Sequence, residues 1–230
     1  LGVADMTILD SLAIAYAGGK EARQDLERAY NLSSDLGYVA RTVAYEGVEG
    51  VRGFRIAIGK PIRPMLAERL SSAAEILEKL GGRGSAEYKY DGLRLQAHVS
   101  ANEISLFSRR LENVTSQFPD AAQLIGKSTK LKDAIIEGEC VALDPDTGDM
   151  QPFQMISQRR GRKYEIEKMA EEIPVGVFLF DLLYAKGKDY TLKPYLERRK
   201  ELSKIIAQNE RVKIAQHLIT DSPSELDHYM

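Results

Sequence analysis

The feature that most constrains the fold is the stretch over residues 175–184, which is apolar at nearly every position. Side chains of a strand alternate between its two faces, so a run that is apolar on both faces indicates a strand buried on both sides. We therefore predict that residues 175–184 form a central strand of a sheet inside the protein.

The rest of the chain divides into a helical part and a part rich in strands. Residues 1–47 carry helical apolar patterns, whereas the glycines and prolines of residues 48–66 break regular structure and indicate a connection. Alternating residues predict further strands at 86–90, 93–99, 103–109, 135–143 and 211–216. Helices are predicted at 71–80, 118–126, 163–172 and 194–208. The fold class is therefore α+β.

Composition limits the kinds of protein this chain can be. With 230 residues, of which 43% are hydrophobic, it has enough material for one or two domains with a substantial core. The net charge of -2 means that any nucleic-acid contact must come from local patches. Cys140 is the only cysteine, which excludes a disulfide framework and a four-ligand zinc site. The lack of a long apolar segment predicts no membrane contact and a cytoplasmic protein, or a nuclear one if the source is eukaryotic.

One string carries the clearest signal for chemistry, and it reads Glu87, Tyr88, Lys89, Tyr90, Asp91, Gly92, Leu93, Arg94. Glu87 and Lys89 share one face of the predicted strand, and Gly92 supplies a turn that returns Arg94 to the same pocket. A lysine beside an arginine is a candidate nucleophile, because a neighbouring cation disfavours the ammonium form. Taken bare, Lys-x-Asp-Gly is explained about equally well by a solvated hairpin with a turn glycine.

Three further stretches contain candidate site residues, and each also has an ordinary structural interpretation. Arg109 ends a Phe-Ser-Arg string and could be a surface arginine on a strand. Glu137 and Glu139 share a strand face, where two acids are costly without a nearby cation, although they could line a half-exposed strand edge. Phe180 lies in the apolar stretch and could be a core phenylalanine.

Together these strings resemble those of a known enzyme family. The string from Glu87 to Arg94 closely resembles the adenylation motif of ATP-dependent DNA ligases, in particular those of the archaeal and eukaryotic replicative type. The other three stretches match the family pattern in the same order, and the flanking sequence agrees from residue 1 to about residue 200. The resemblance implies a nucleotidyltransferase (adenylation) domain, ATP-grasp-like, with antiparallel sheets around an ATP cleft.

The resemblance also implies a role for each candidate residue. Lys89 would be the nucleophile that becomes adenylated. Glu87 would hold the adenine by a hydrogen bond and Phe180 would stack on it. Arg94 and Arg109 would contact the nucleotide. Glu139 would touch the ribose or a Mg²⁺ ion, so the implied cofactors are ATP and Mg²⁺.

The implied reaction of the parent enzyme is the sealing of nicks in duplex DNA, and a sliding clamp is a further partner that the resemblance suggests for the full-length protein. The implied domains are the end of a helical DNA-binding domain (1–48), a linker (49–66) and the first part of the adenylation domain (67–230). The family's Glu-Gly-x-Met-x-Lys motif, lysine-rich motif and OB-fold domain are not found in these residues. We therefore expect an incomplete adenylation domain that does not seal nicks by itself and adenylates poorly or not at all.

Two alternatives remain open. RNA ligases and mRNA-capping guanylyltransferases share the Lys-x-Asp-Gly string, and a non-catalytic module that binds DNA or a protein partner could keep the same fold. Two basic segments could contact DNA or could simply be solvated. They are the connection at 48–66, with Arg52, Arg55, Lys60 and Arg63, and the run Arg159, Arg160, Gly161, Arg162, Lys163.

Overall fold

A computed structural model describes residues 4–101 and 103–229 of the chain. Its helices are α1 (Asp5–Tyr16), α2 (Arg23–Ser33), α3 (Leu36–Arg52), α4 (Ala73–Lys79), α5 (Pro119–Ser128), α6 (Phe153–Ser157), α7 (Ile166–Glu172), α8 (Tyr195–Ile205) and α9 (Pro223–Tyr229). Its strands are β1 (Gly84–Glu87), β2 (Leu93–Val99), β3 (Ile104–Ser108), β4 (Ala134–Ala142), β5 (Val175–Ala185), β6 (Lys188–Asp189), β7 (Val212–Ile214) and β8 (His217–Thr220). This mixture confirms the α+β class.

The first three helices form a helical unit with its own core. They pack around a set of fully buried apolar side chains that includes Leu9, Leu26 and Val43. The helical prediction is thus confirmed for α1, α2 and α3, beginning at Asp5, while residues 1–3 of the string that resembles a DNA-binding domain lie outside the described residues. α3 is broken at Gly47, whose φ of 67° and ψ of -164° are not helical, and the helix then resumes and ends at Arg52. The connection without helix or strand therefore begins at Gly53. In the described part of the chain, no helix is long and apolar enough to cross a membrane.

The strand β5 is an interior strand of the main sheet, paired with β4, β6 and β7, which agrees with the buried strand that its apolar pattern predicts. The strand order is β3-β2-β4-β5-β6, and each neighbouring pair along this path is antiparallel. The strand β7 adds a parallel pairing to β5. The main sheet is therefore mostly antiparallel, which agrees with the fold that the family resemblance implies.

The two faces of the main sheet differ in chemistry. One face packs against α5 and α6 through apolar residues, among them Leu95, Ala97, Phe118, Ile125, Ile156, Val177 and Leu179. On the other face of β2 and β4, Arg94 lies opposite Glu139 and Gln96 lies opposite Glu137. Alternation along two paired strands thus collects these four polar side chains on one face of the sheet.

The connection between α3 and α4 packs on this polar face and is not a simple solvated linker. Ile62 is only 4% exposed, and the Gly59 N–H donates to His98 Nδ1 over 2.9 Å. Arg63, one of the cations considered for DNA contact, lies with its guanidinium carbon 4.3 Å from the ring centroid of Tyr30 in α2. The connection therefore joins the helical unit to the sheet.

The strands β1 and β8 form a separate two-stranded antiparallel sheet, against which α4 and α9 pack. Glu87 pairs with His217 at the end of this ladder. The prediction of a strand over 86–90 is wrong for its second half, because β1 stops pairing with β8 after Glu87 and the chain turns towards β2. Lys89 therefore lies in a loop, two residues beyond β1, and does not share a strand face with Glu87.

The buried His98 ring predicts a dependence of stability on pH. Burial lowers the pKa of His98 from 6.5 to about 4. Since the unfolded chain then binds the proton more tightly, stability is present above pH 6.5 and is lost as the pH falls towards 4, by about 3 kcal/mol in total. His98→Gln cannot gain this charge and should lose less stability over the same window. Urea unfolding of both proteins between pH 7 and pH 4 measures the difference, and equal losses would contradict the prediction.

Candidate active site

The loop that carries Lys89 lies directly on β4. A Cβ atom added to Gly92 would come within 3.0 Å of Glu139 Cγ and closer still to the carbonyl oxygen of Cys140. No side chain fits in that gap, so the close approach requires glycine at this position. Asp91 fixes the loop from the other side, because its Oδ2 accepts the N–H of Phe153 over 2.9 Å. The Lys-x-Asp-Gly string therefore brings its loop against Glu139.

Glu139 is the electrostatic centre of this arrangement. Burial raises the pKa of its carboxyl to about 7, while the positive charges of Arg94, Lys89 and Arg109 work in the opposite direction. Asp91 adds to the rise. Three of the cations predicted from the sequence are thus close enough to act on one partly desolvated carboxylate. Such a group favours the approach of a further positive charge.

Arg94 is held in place from two sides. Its Nη2 donates to Glu137 Oε2 over 2.5 Å, and Glu137 is only 3% exposed. Its guanidinium carbon lies 5.3 Å from the centroid of the Phe180 ring. A short charged hydrogen bond combined with a cation–π contact gives this arginine a defined position.

Phe180 reaches the site because β5 is irregular at that point. Glu137 pairs with Asp181 and Gly138 pairs with Leu179, so Phe180 is the extra residue of a β-bulge. It is half-buried and is not part of the fully buried core. The interpretation of Phe180 as an ordinary core phenylalanine therefore does not describe its position.

The sequence patterns did not single out an aromatic pair that also lies beside Glu139. Phe178 is the cross-strand neighbour of Glu139, and its ring stacks on Tyr90 with centroids 4.1 Å apart. Tyr90 is the variable residue of the Lys-x-Asp-Gly string. The pair packs the loop against the sheet beside Glu139.

Glu87 has partners that the sequence did not reveal. Its Oε1 accepts a short hydrogen bond from the Tyr195 hydroxyl and lies 3.5 Å from Arg199 Nη1. Both partners are on α8, and the buried Arg199 also donates to the carbonyl oxygens of Leu179 and Phe180. Nothing in the local pattern of α8 marks these two residues, because their side-chain hydrogen bonds are to distant parts of the chain.

Two cavities meet at Lys89. One, of about 400 Å³, is mainly apolar and lies between the small sheet, α4 and α9. The other, of about 870 Å³, has both aromatic and cationic walls, which include Tyr90, Phe178, Arg211 and Lys213. Pockets of several hundred cubic ångströms are typical of small-molecule sites. Of the site residues predicted from the sequence, Glu87 lines the smaller cavity and Lys89 lines both, whereas Arg94, Arg109, Glu139 and Phe180 line neither. Arg109 lies in the turn after β3, where it borders a small cleft with Arg94 and Glu137.

The comparison with known proteins decides the family. A family model described as "ATP dependent DNA ligase domain" matches residues 64–230. This chain belongs to that family. The DNA ligase of Staphylothermus marinus is 51% identical over 229 residues, which are 100% of this chain and 38% of that protein. The DNA ligase of Aeropyrum pernix is 51% identical over 226 residues, 98% of this chain and 37% of that protein. The chain thus spans well under half the length of these relatives.

A solved structure titled as the ligase domain of LigD from M. tuberculosis is 23% identical, with a TM-score of 0.44. The match covers 63% of this chain and 43% of that chain. At this level of structural similarity the family assignment rests on the family match and on the sequence identity to the archaeal ligases.

In this ligase-family chain, the basic run at 159–163 does not act as one cationic patch. Arg159 is only 1% exposed, and it forms an ion pair with Asp120 of α5 over 2.6 Å. Arg160 forms an ion pair with Glu112 over 3.1 Å. The hypothesis that four neighbouring cations grip phosphates is therefore wrong for Arg159, which is a structural residue.

The carboxylates near the Lys89 loop differ in the partners that they already have. Glu137 is already neutralised by Arg94, and Asp91 is bound to the Phe153 N–H. Glu139 is the remaining carboxylate, and its raised pKa favours a cation. No group of three or more His, Cys, Asp or Glu side chains able to hold a metal occurs in residues 4–101 and 103–229. One carboxylate with phosphate oxygens and waters is a common magnesium environment.

The close approach at Gly92 leads to a stability prediction. Gly92→Ala should destabilise the protein by about 1–3 kcal/mol, because backbone atoms of β4 must move to admit the methyl group. The control is Gly37→Ala in α3, where the added Cβ meets Asp35 Oδ1 at an ordinary 3.4 Å. This control should be neutral or slightly stabilising. Urea unfolding compares the two variants, and equal effects would show that the loop is not tightly packed on β4.

Proposed function

We propose that this chain carries the nucleophile and much of the nucleotide pocket of a DNA ligase that uses ATP to seal nicks in duplex DNA. One observation carries the proposal: the loop that holds Lys89 is packed on Glu139, and the positive charges of Arg94 and Arg109 act on the carboxylate of Glu139. A nucleophile, a desolvated acid and two cations at one place are the groups that phosphoryl transfer from ATP requires.

In the first step, Lys89 Nζ attacks the α-phosphorus of ATP. A P–N bond forms, the bond from that phosphorus to the bridging oxygen breaks, and pyrophosphate leaves with the electron pair. The amine loses its proton in the same step. The AMP group then passes to the 5′-phosphate at the nick, and the 3′-hydroxyl finally displaces AMP. In-line chemistry of this kind depends mainly on positioning and on charge stabilisation.

The other site residues bind and orient the nucleotide. Phe180 stacks on adenine at the bulge of β5, and Glu87 accepts a hydrogen bond from the base. This role of Glu87 is compatible with its contacts, because Tyr195 and Arg199 both contact Oε1 and the base would bind to Oε2. Arg94 and Arg109 contact the nucleotide. Glu139 holds a Mg²⁺ ion or the ribose, and the ion would neutralise charge on the phosphates.

The setting of the enzyme completes the proposal. Residues 1–48 and 67–230 belong to a DNA-binding part and an adenylation part, with 49–66 between them, and a sliding clamp is a predicted partner of the complete protein. An enzyme that acts on chromosomal DNA would work in the cytoplasm, or in the nucleus of a eukaryote.

Replacement of Lys89 tests the nucleophile. In protein expressed from its complete gene, Lys89→Arg should abolish covalent labelling by α-labelled ATP, because the guanidinium keeps the charge but is a poor nucleophile. Lys127→Arg, at the end of α5, is the control and should label like the wild type.

The choice of nucleotide separates the enzyme classes. Wild-type protein labelled by GTP in preference to ATP would favour a capping-type guanylyltransferase. Protein that neither nucleotide labels would favour a non-catalytic binding module. Labelling by ATP that seals nicked RNA but not nicked DNA would identify an RNA ligase.

Replacement of Phe180 tests the adenine site. Loss of a stacking partner costs about 1–3 kcal/mol in base–aromatic contacts, so Phe180→Leu should raise the ATP concentration needed for half-maximal labelling at least several-fold. Phe178→Leu is the comparison, since that ring borders the larger cavity, which Phe180 does not line, and is stacked on Tyr90. If only Phe178→Leu changes the ATP requirement, Phe178 and not Phe180 supports the base.

A further inference from the structure

A buried series of hydrogen-bonded polar side chains links residues 53–66, in the connection between α3 and α4, to Arg94. It consists of Gln96, His98 and Glu137, and none of the three is more than 4% exposed. These residues lie on the polar face of β2 and β4, beneath the connection between α3 and α4. Buried polar groups are costly unless their hydrogen bonds are satisfied, so the partners of each residue are informative.

The side-chain amide of Gln96 makes four hydrogen bonds. Its Oε1 accepts the Ile62 N–H over 2.7 Å and the His98 Nε2–H over 2.8 Å. Its Nε2 donates to the Ile62 carbonyl over 2.9 Å and to Glu137 Oε1 over 3.1 Å. Both amide atoms are thus fully used, and their identity is fixed because the two ends of the amide cannot be exchanged without losing donors.

His98 adds a second hydrogen bond between β2 and the connection, at Gly59. Because its Nδ1 accepts the Gly59 N–H, its Nε2 must carry the proton that it donates to Gln96. The ring is therefore neutral and in a single tautomer. Its edge packs against Phe107 with centroids 4.8 Å apart, which holds the ring plane.

Glu137 links Gln96 to Arg94 of the candidate site. Its Oε1 accepts from Gln96, and its Oε2 accepts from Arg94. Rotation of the carboxylate would break one of the two bonds. The orientation that Gln96 imposes on Glu137 therefore also determines where the Arg94 guanidinium lies relative to Phe180.

We propose that Gln96 is a positioning residue of the nucleotide site, which holds Arg94 through Glu137 only while the segment around Gly59–Ile62 is seated on β2. The inference rests on the proposed function, since it takes Arg94 as a nucleotide-binding residue. The side chain of Gln96 hydrogen-bonds to Ile62, His98 and Glu137, and its effect on the reaction is exerted through Arg94.

The physical basis is that the chain of bonds is satisfied as a whole or not at all. If the segment lifts, Gln96 loses two backbone partners and His98 loses one, so the amide is no longer fixed. Glu137 is then free to turn, and Arg94 can follow it away from Phe180. Networks of this kind are strongly cooperative in a buried environment.

A double-mutant cycle tests the proposal in protein expressed from its complete gene. Four proteins are compared by their rate of labelling with ATP at limiting concentration: wild type, Gln96→Leu, Arg94→Ala and the double variant. Gln96→Leu should lower the rate on the order of 10- to 100-fold, because a small displacement of a positioned group has effects of that size. In the Arg94→Ala background the same change should have an effect within about 2-fold.

The control for lost amide contacts is Gln117→Leu. Gln117 Oε1 accepts the Gly161 N–H over 2.7 Å, so this variant also frees a loop backbone, but this bond is not part of the hydrogen-bonded series that ends at Arg94. It should label like the wild type. Additive effects of Gln96→Leu and Arg94→Ala, or an equal loss in Gln117→Leu, would overturn the proposal.

A second variant and an activity-independent readout cover the other outcomes. Gln96→Glu keeps an acceptor for the Ile62 N–H and His98 but sets a second carboxylate against Glu137, and two buried acids repel each other unless they share a proton. At a pH where both are ionised, this variant should preserve slow hydrogen exchange of the Ile62 amide and still lower the labelling rate. If the wild type is not labelled by ATP, the proposed function fails, and a crystal structure of Gln96→Leu still decides the positioning role. If Arg94 still bound Glu137 in the Gln96→Leu structure, with Ile62 in its wild-type position, the positioning role of Gln96 would be refuted.

Discussion

The pairing of β2 with β4 is the constraint on which the site depends. Its register sets Arg94 opposite Glu139 and Gln96 opposite Glu137, so that one cation, two acids and one amide share a face. A slip of either strand by one residue would turn the polar side chains of that strand towards the apolar core. The register is protected on the core face, where the alternate residues of both strands are buried. The same hydrophobic core that stabilises the sheet therefore also assembles the charged site.

The segment between the helical unit and the sheet is part of the site's architecture. Arg63 stacks on Tyr30 and donates to its hydroxyl over 2.7 Å, and Tyr30 in turn donates to Asp5. A second tie joins Arg28 of α2 to Asp189 at 2.6 Å. A displacement of the helical unit would thus act on the segment that seats Gln96. This gives a physical route by which the position of one unit can influence the nucleotide pocket of the other.

Much of the fold was predictable because its signals are local. The apolar run of β5, the alternation in β2 and the position of Gly92 all report on neighbours in sequence. What could not be predicted depends on contacts between distant segments. The β-bulge that presents Phe180, the contacts of α8 with Glu87 and the burial of Arg159 leave no periodic pattern in the chain. The roles of the site residues came from the family strings, and they remain predictions after the structure has brought several of those residues together.

The most direct test of Lys89 as the nucleophile is to locate the adduct. Protein expressed from its complete gene would be incubated with ATP and magnesium, digested, and its peptides analysed by mass spectrometry before and after brief acid treatment. We predict AMP on the peptide that contains Lys89, lost in acid as expected of a P–N bond. AMP found instead on Lys213, which borders the same cavity, or efficient sealing of nicked DNA without any adduct on Lys89, would contradict this assignment.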